Sequence, residues 1–317
     1  MKLRDIYTTA VKAGIEADAR TREEIEQVLA AAKKEYEKLP ADEQRFFDIE
    51  RLSNPYDDTR IAEGDPDLDI RGLITGIDME VGEVLLADRL RERGAPIDLV
   101  FAHHPEGPGF ANLHRVMYMQ ADLWAARGVG IGVADALIAP RAEEIRRKIM
   151  PVNHYRAIDA ARLLELASMS CHTPADNNVN RFVQELIDGE APRTLDDLLK
   201  VLHSVPEYAD AAGKGYGPLI IQGSGARRCG TCHVDMTGGT EGPKEALDKL
   251  VAAGIDTLVG MHYSEEHKKH AEELKLNLVI AGHISSDAIG MNLVLDRIES
   301  QGVEVYCTSG MVRVNRS

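Results

Sequence analysis

The sequence predicts an α/β protein built as two similar α/β lobes that face each other, with an N-terminal helical extension. Two observations carry this. From about residue 68 to the end, apolar runs of five or six residues alternate with helical stretches, the texture of a mostly parallel sheet. In addition, Ile97–Glu106 resembles Ile255–Glu265: each follows a helix closing in Ala/Gly, and each sets a histidine at the C-terminal end of a strand. Any two α/β units share some of that texture. If the repeat is genuine, both histidine positions point into one cleft, because ligands of open α/β sheets sit at the carboxyl ends of strands. The 317 residues suit about two domains. They divide as 1–66, a helix and connecting segment, 67–190, a first α/β lobe, and 191–317, a second lobe that completes the site.

Taken in order, residues 2–38 read as helical. Thr21 and Glu24 have the spacing of a capping box, and Ile25, Val28, Leu29 and Ala32 then recur at helical intervals until Pro40 stops the pattern. The apolar stripe has to be covered by the core or by a neighbour, and a contact within an oligomer is expected of it. Residues 40–68 are polar and turn-rich, with Asn54-Pro55-Tyr56-Asp57-Asp58 and Gly64-Asp65-Pro66, and read as a connecting segment. Leu73–Asp78 is strand-like. A helix through Val84, Leu85, Ala87 and Leu90 follows and closes at Gly94. Ile97–Ala102 is a second strand, Leu113–Arg127 a helix, and Val129–Val133 a third strand. In the second half Leu219–Ile221 and Cys232–Met236 are strand-like, Glu245–Ala253 helical, Thr257–Val259 strand-like and His267–Leu274 helical. Leu276–Ala281 then predicts a strand, Asn292–Ser300 a helix and Val303–Cys307 a last strand.

Composition excludes several functions. A formal charge of −15, with 37 Lys+Arg against 52 Asp+Glu, argues against a binder of nucleic-acid backbones. No apolar run reaches the roughly 18–20 residues of a membrane helix, and the N-terminus lacks the apolar core of a secretory signal, so a cytoplasmic protein is expected. Four cysteines then read as reduced thiols. Cys229-Gly230-Thr231-Cys232-His233 has the short haem-attachment spacing, and could equally be half a zinc site or a redox pair. With no second Cys pair in the chain, the cysteines are taken as small residues near a strand end. Gly223-Ser224-Gly225 before Arg227-Arg228 reads as an ordinary turn with solvated arginines, and no phosphate loop of the Walker type is present.

Three segments carry chemistry. His103-His104-Pro105 ends an apolar strand, and two imidazoles near carboxylates are what a divalent metal site requires. The alternative is one buried, hydrogen-bonded histidine beside an exposed one. Cys171-His172-Thr173-Pro174-Ala175-Asp176-Asn177 leads into Phe182–Leu186, and its Asp176 or Asn177 can instead cap that helix. Gly282-His283-Ile284-Ser285-Ser286-Asp287 follows a strand. His283 and Asp287 are one helical turn apart, and Asp287 as an N-terminal cap competes.

In their order and spacing the three motifs resemble the Nif-three-like family (Ngg-one-interacting factor three), dinuclear metal proteins known in bacteria as GTP cyclohydrolase I type 2-like. The Gly64–Leu68 turn and the strand after it resemble the opening of the family core, so the likeness covers about residues 52–317 and leaves 1–38 outside. It implies two lobes facing a shared metal cleft, with metal ligands His103, His104, Asp176, His283 and Asp287. Asp176 would bridge the metals, and the last position usually carries glutamate, one methylene longer than Asp287. It implies a role for His172 beside the metals in proton transfer. Val133–Ala167 looks like an insertion against the family pattern, and Asp135 at the end of the strand-like Val129–Val133 competes with Asp176 for the bridging place. Such a donor set suits two divalent ions of zinc, iron, manganese, nickel or cobalt. Two ions sharing a water provide hydroxide near neutral pH. The expectation is therefore a metal-dependent hydrolase of a small molecule, for which the family suggests ring opening of a purine nucleotide such as GTP. A non-catalytic metal-binding adaptor or interaction scaffold, and a metal store, are the alternatives. The likeness also implies a homo-oligomer, often a hexamer.

Overall fold

The computed structural model describes residues 1–316. The chain opens with helices α1 (Leu3–Ala17) and α2 (Arg22–Lys38), two short 3-10 turns, and strand β1 (Ile61–Glu63). Strand β2 (Gly72–Gly76), helix α3 (Val81–Glu92) and strand β3 (Ile97–Ala102) follow. Helices α4 (Gly107–Asn112), α5 (Met119–Ala126), α6 (Ile131–Ile149) and α7 (Arg156–Leu163) lead to strand β4 (Ala167–Ser170) and helix α8 (Thr173–Glu190). Helices α9 (Leu195–His203) and α10 (Pro206–Gly213) precede strands β5 (Leu219–Gln222) and β6 (Cys232–Asp235). Helix α11 (Ala246–Ala252), strand β7 (Thr257–Gly260), helix α12 (Glu265–Leu274) and strand β8 (Asn277–Ile280) come next. Helix α13 (His283–Glu299) and strand β9 (Glu304–Cys307) are the last of these elements.

Two sheets form, in the orders β1-β4-β3-β2-β9 and β5-β8-β7-β6. Within each, the strands run parallel except one antiparallel edge strand, β1 in the first and β5 in the second. The expected α/β pair of lobes is therefore present, and the two share one plan. Parallel pairing sends the carboxyl ends of β2, β3 and β4 to one edge of the first sheet, in register from Leu73↔Leu99 to Gly76↔Ala102. β6, β7 and β8 do the same in the second. Helices α8 and α13 lie between the sheets. Ala175 of α8 and Ala288, Met291 and Leu295 of α13 pack with the first sheet, while Val179 and Val183 of α8 and Ile289 of α13 pack with the second.

Several sequence expectations change. The helical stretch 2–38 is two helices. Asp18 turns extended (φ −62°, ψ 133°), and the capping box starts α2: Thr21 Oγ1 accepts from Glu24 N–H while the Glu24 carboxylate takes the Thr21 N–H at 2.6 Å. The apolar stripe of α1 is covered by the chain itself, since Leu3, Ile6, Ala10 and Ala13 join the core of the first sheet. Ile6→Ala is accordingly expected to cost about 2–5 kcal/mol in denaturant unfolding, because the site is fully buried and cannot collapse freely. An unchanged midpoint would show that α1 is not part of the core.

Val129–Val133 is not a strand. Gly130 precedes α6, whose Ala134, Ile138, Ala142, Ile145 and Ile149 recur at helical spacing and bury one face. The alternation of Gly with β-branched residues there mimics a strand, and packing against the second lobe decides otherwise. Leu113–Arg127 is broken by a 3-10 stretch over Leu113–Tyr118. The connecting segment contains β1, and Ala167–Ser170 forms β4. Neither has the apolar run of a buried parallel strand.

Candidate metal centre

Each side chain of the centre stands at or just past the carboxyl end of a parallel strand. Asp78 follows β2, His103 and His104 follow β3, and His172 follows β4. From the second sheet, Asp235 ends β6, His262 follows β7 and His283 follows β8. Asp176 and Asp287 come one helical turn later, on α8 and α13, four residues after His172 and His283 respectively. The two helices between the sheets thus aim Asp176, in the first turn of α8, and Asp287, just past the first turn of α13, at the strand ends.

The side chains converge. His103 Nε2 lies 3.5 Å from Asp176 Oδ1 and 3.4 Å from Asp287 Oδ1. His104 Nε2 is 3.6 Å and His283 Nε2 3.5 Å from Asp287 Oδ2. Three overlapping groups keep ligand atoms within 4.8 Å of one another: His103, His104 and His172; His104, His283 and Asp287; His103, Asp176 and Asp287. Asp287 and His103 are 0% exposed and Asp176 4%. Yet His103 Nε2, Asp176 Oδ1 and both Asp287 oxygens have no hydrogen-bond partner. Buried polar atoms are normally paired, and four orphans in one place fit a cation as their missing partner.

The histidine tautomers are set from behind. His103 Nδ1–H donates to the Cys171 carbonyl at 3.1 Å, His104 Nδ1–H to Asp78 at 2.7 Å, and His172 Nδ1–H to Asp58 at 2.8 Å. A carbonyl oxygen only accepts, so Nδ1 of His103 carries a proton and Nε2 is the ring atom turned toward the acids. This is the outer support that metal-binding imidazoles use. Asp58 also accepts from Thr173 Oγ1 (2.6 Å) and N–H (3.4 Å) and so occupies the start of α8. Capping therefore does not explain Asp176. Nor does it explain Asp287, which lies inside α13, past its first turn.

The acids are driven apart electrostatically. Burial and then, against the pull of His172, the Asp287 and Asp58 carboxylates push Asp176 up. Burial works to raise Asp287 as well, but the imidazoles of His103, His283 and His104 hold it down at about 2. Burial lowers His283 to about 4, with His104 and His262 adding to it against Asp287. Burial lowers His172 too, but Asp176 and Asp58 outweigh it and raise the group.

His103, His104, His172, Asp176, His283 and Asp287 are thus gathered in one cluster. Asp135 is not among them: it is exposed on α6, because the strand expected to deliver it is a helix. Reading the sequence missed three supports. Asp58 sits in the segment taken as a mere connection. Asp78 was seen only as a strand end. His262, whose ring centre is 5.0 Å from that of His283, was visible only as the counterpart of His103–His104 in the repeat.

The fold and this cluster define a two-lobed α/β protein with a buried His/Asp centre between its sheets, and the buried groups can hold a metal ion. Among solved structures the chain is similar to a NIF3 superfamily protein from Sphaerobacter thermophilus, at 25% identity over 90% of this chain and 98% of that one, with a TM-score of 0.70. It also shares the fold of reduced HcgD from Methanocaldococcus jannaschii, at 16% identity over 79% and 88% of the two chains, with a TM-score of 0.52. The chain has the NIF3 superfamily fold, as the three motifs imply. No sequence-family model matches it, nor does any curated protein.

Among the described residues, no helix is long and apolar enough to cross a membrane. The thiols of Cys171, Cys229, Cys232 and Cys307 are all free.

Proposed function

We propose that the chain is a metal-dependent hydrolase whose centre is held by His103, His104, Asp176, His283 and Asp287. The observation that carries this reading is the set of orphaned buried atoms, His103 Nε2, Asp176 Oδ1 and the two Asp287 oxygens, beside a cleft that Asp176 and Asp287 line. Three overlapping donor groups provide for two ions, with Asp287 and His103 each common to two of the groups. Divalent ions bound there would supply Lewis acidity and lower the pKa of a coordinated water. Asp58 and Asp78 orient His172 and His104 from outside. With its Nδ1 committed to Asp58, His172 has Nε2 left to exchange a proton on the cleft side, and the Asp58 carboxylate stabilises the charged ring. Metals so placed, beside a proton-exchanging imidazole, suit attack of water on a polarised carbonyl or amidine carbon.

The test is elemental analysis of the purified protein followed by chelation. Turnover on a panel of cyclic amidines, amides and nucleotides is expected to vanish with the metal and to return on reloading. Full turnover by metal-free protein would refute the reading. A metal-loaded chain inert on the whole panel would favour an adaptor or store.

A further inference from the structure

We propose that Asp235 is the substrate-recognition carboxylate of this cleft and that it takes a positively charged or donor-rich nitrogen group of the substrate: an amine, amidine or guanidine. The identity of the reaction beside that group rests on the hydrolase reading above, whereas its binding does not.

The cleft continues from the His/Asp centre along the second lobe, where it is lined by Asp235, Thr237, Glu241, His262 and Tyr263. Opposite them, Asp176 and Asp287 line the same cleft with buried, unpartnered oxygens, so this is a place built for a ligand. None of its lining residues is Lys or Arg. A triphosphate or other polyanion would find no lysine or arginine along this wall, and would meet the Asp235 and Glu241 carboxylates.

The wall is rigid. Gln120 of α5 reaches across from the helices of the first half and donates to the carbonyls of Gly238 and Thr240, both at 2.7 Å. Thr237 Oγ1 donates to Asn177 Oδ1 of α8 at 2.6 Å. Glu241 is engaged within the wall, accepting the Ser264 N–H at 2.7 Å with His267 Nδ1 3.2 Å away. Asp235 differs. It is half-buried at the carboxyl end of β6, and among the described residues no hydrogen bond or ion pair reaches its carboxylate. The Tyr263 hydroxyl, buried in the same wall, has no partner either. A carboxylate is an acceptor only, and the phenolic hydroxyl can accept as well as donate. What satisfies both is a group with several N–H donors and positive charge, bound by charge-assisted hydrogen bonds.

The experiment uses the full chain, reloaded with zinc, titrated calorimetrically with guanidinium and with n-butylamine. Saturable binding of these probes is expected, weakened about tenfold or more in Asp235→Asn, the size of one charge-assisted hydrogen bond. Asp235→Ala is expected to lose binding likewise. Neither variant removes an internal contact, so zinc content and melting temperature should stay at the wild-type values. Undiminished binding in both variants, or no binding by the wild type, overturns the proposal. Binding that depends on Asp235 in a protein without turnover on any substrate would leave this inference standing and remove the hydrolase reading. Turnover on substrates without nitrogen cations, unaffected by Asp235→Asn, would do the reverse.

Discussion

Asp287→Asn is expected to abolish metal binding in a protein that still folds. Asp287 belongs to two of the three donor groups, and its two oxygens have no other partner. Asparagine keeps the shape but offers one neutral oxygen in place of an anionic pair, a poor ligand for a divalent ion. Metal added to the wild type should raise its melting temperature by several degrees, since a ligand at 100 times its Kd stabilises by about 2.7 kcal/mol. The variant should show no such rise, and elemental analysis should find it empty. A variant with the wild-type metal content would remove Asp287 from the ligand set.

The same centre should be pH-dependent in a definite direction. Burial and the neighbouring carboxylates push Asp176 up to about 8, so in metal-free protein it retains a proton across the neutral range. That proton has to leave before the oxygen can ligate. Metal affinity is therefore expected to climb as pH rises from 6 toward about 8 and to level off beyond. In Asp176→Asn the slope should shrink.

Gly290→Ala is expected to have the second large effect. Gly290 lies on α13 where that helix crosses α8, and a Cβ there would fall on the Ala175 carbonyl oxygen and meet Ala175 Cα at 3.2 Å. These are backbone atoms of the neighbouring helix and cannot swing aside, so the helices must separate. Overpacking of this kind costs about 1–3 kcal/mol. It also moves the centre, because Asp176 immediately follows Ala175 and Asp287 lies three residues before Gly290. Denaturant unfolding should show the loss of stability, and metal titration should show a weaker affinity. Gly132→Ala is the control: Gly132 is exposed on α6, and a Cβ there meets nothing within 4 Å. There the change should stabilise by up to about 1 kcal/mol through helix propensity. If both variants behave like the wild type, the helix crossing is not what holds the centre.

What could be read from the sequence follows from which signals are local. Ile97–Ala102 is a short run, apolar but for Asp98, with a turn on each side, and it forms β3 with those boundaries. Thr21 and Glu24 satisfy each other's backbone donors within one turn, so the start of α2 was visible in four residues. The cluster residues were findable because each sits in a short motif at a strand end. β4 was not visible: Ala-Ser-Met-Ser gains its strand from pairing with β3, 68 residues earlier for Met169 with Phe101. α6 was hidden because its first residues alternate like a strand, while its buried face is defined by contact with Leu247 and Leu250. Asp58 has no motif of its own. Its role exists only because the fold brings it to His172, 114 residues later.

The last strand has a consequence for biosynthesis. After α13 leaves the second lobe, β9 returns to pair with β2 across Gly72↔Glu304 to Thr75↔Cys307. The first lobe is thus completed by a strand made after the whole second sheet, and α13, which delivers His283 and Asp287, also follows that sheet in chain order. A nascent chain would hold His103 and His104 long before it could offer a complete set of donors. Ion capture should then wait until α13 has been made and has docked between the two sheets.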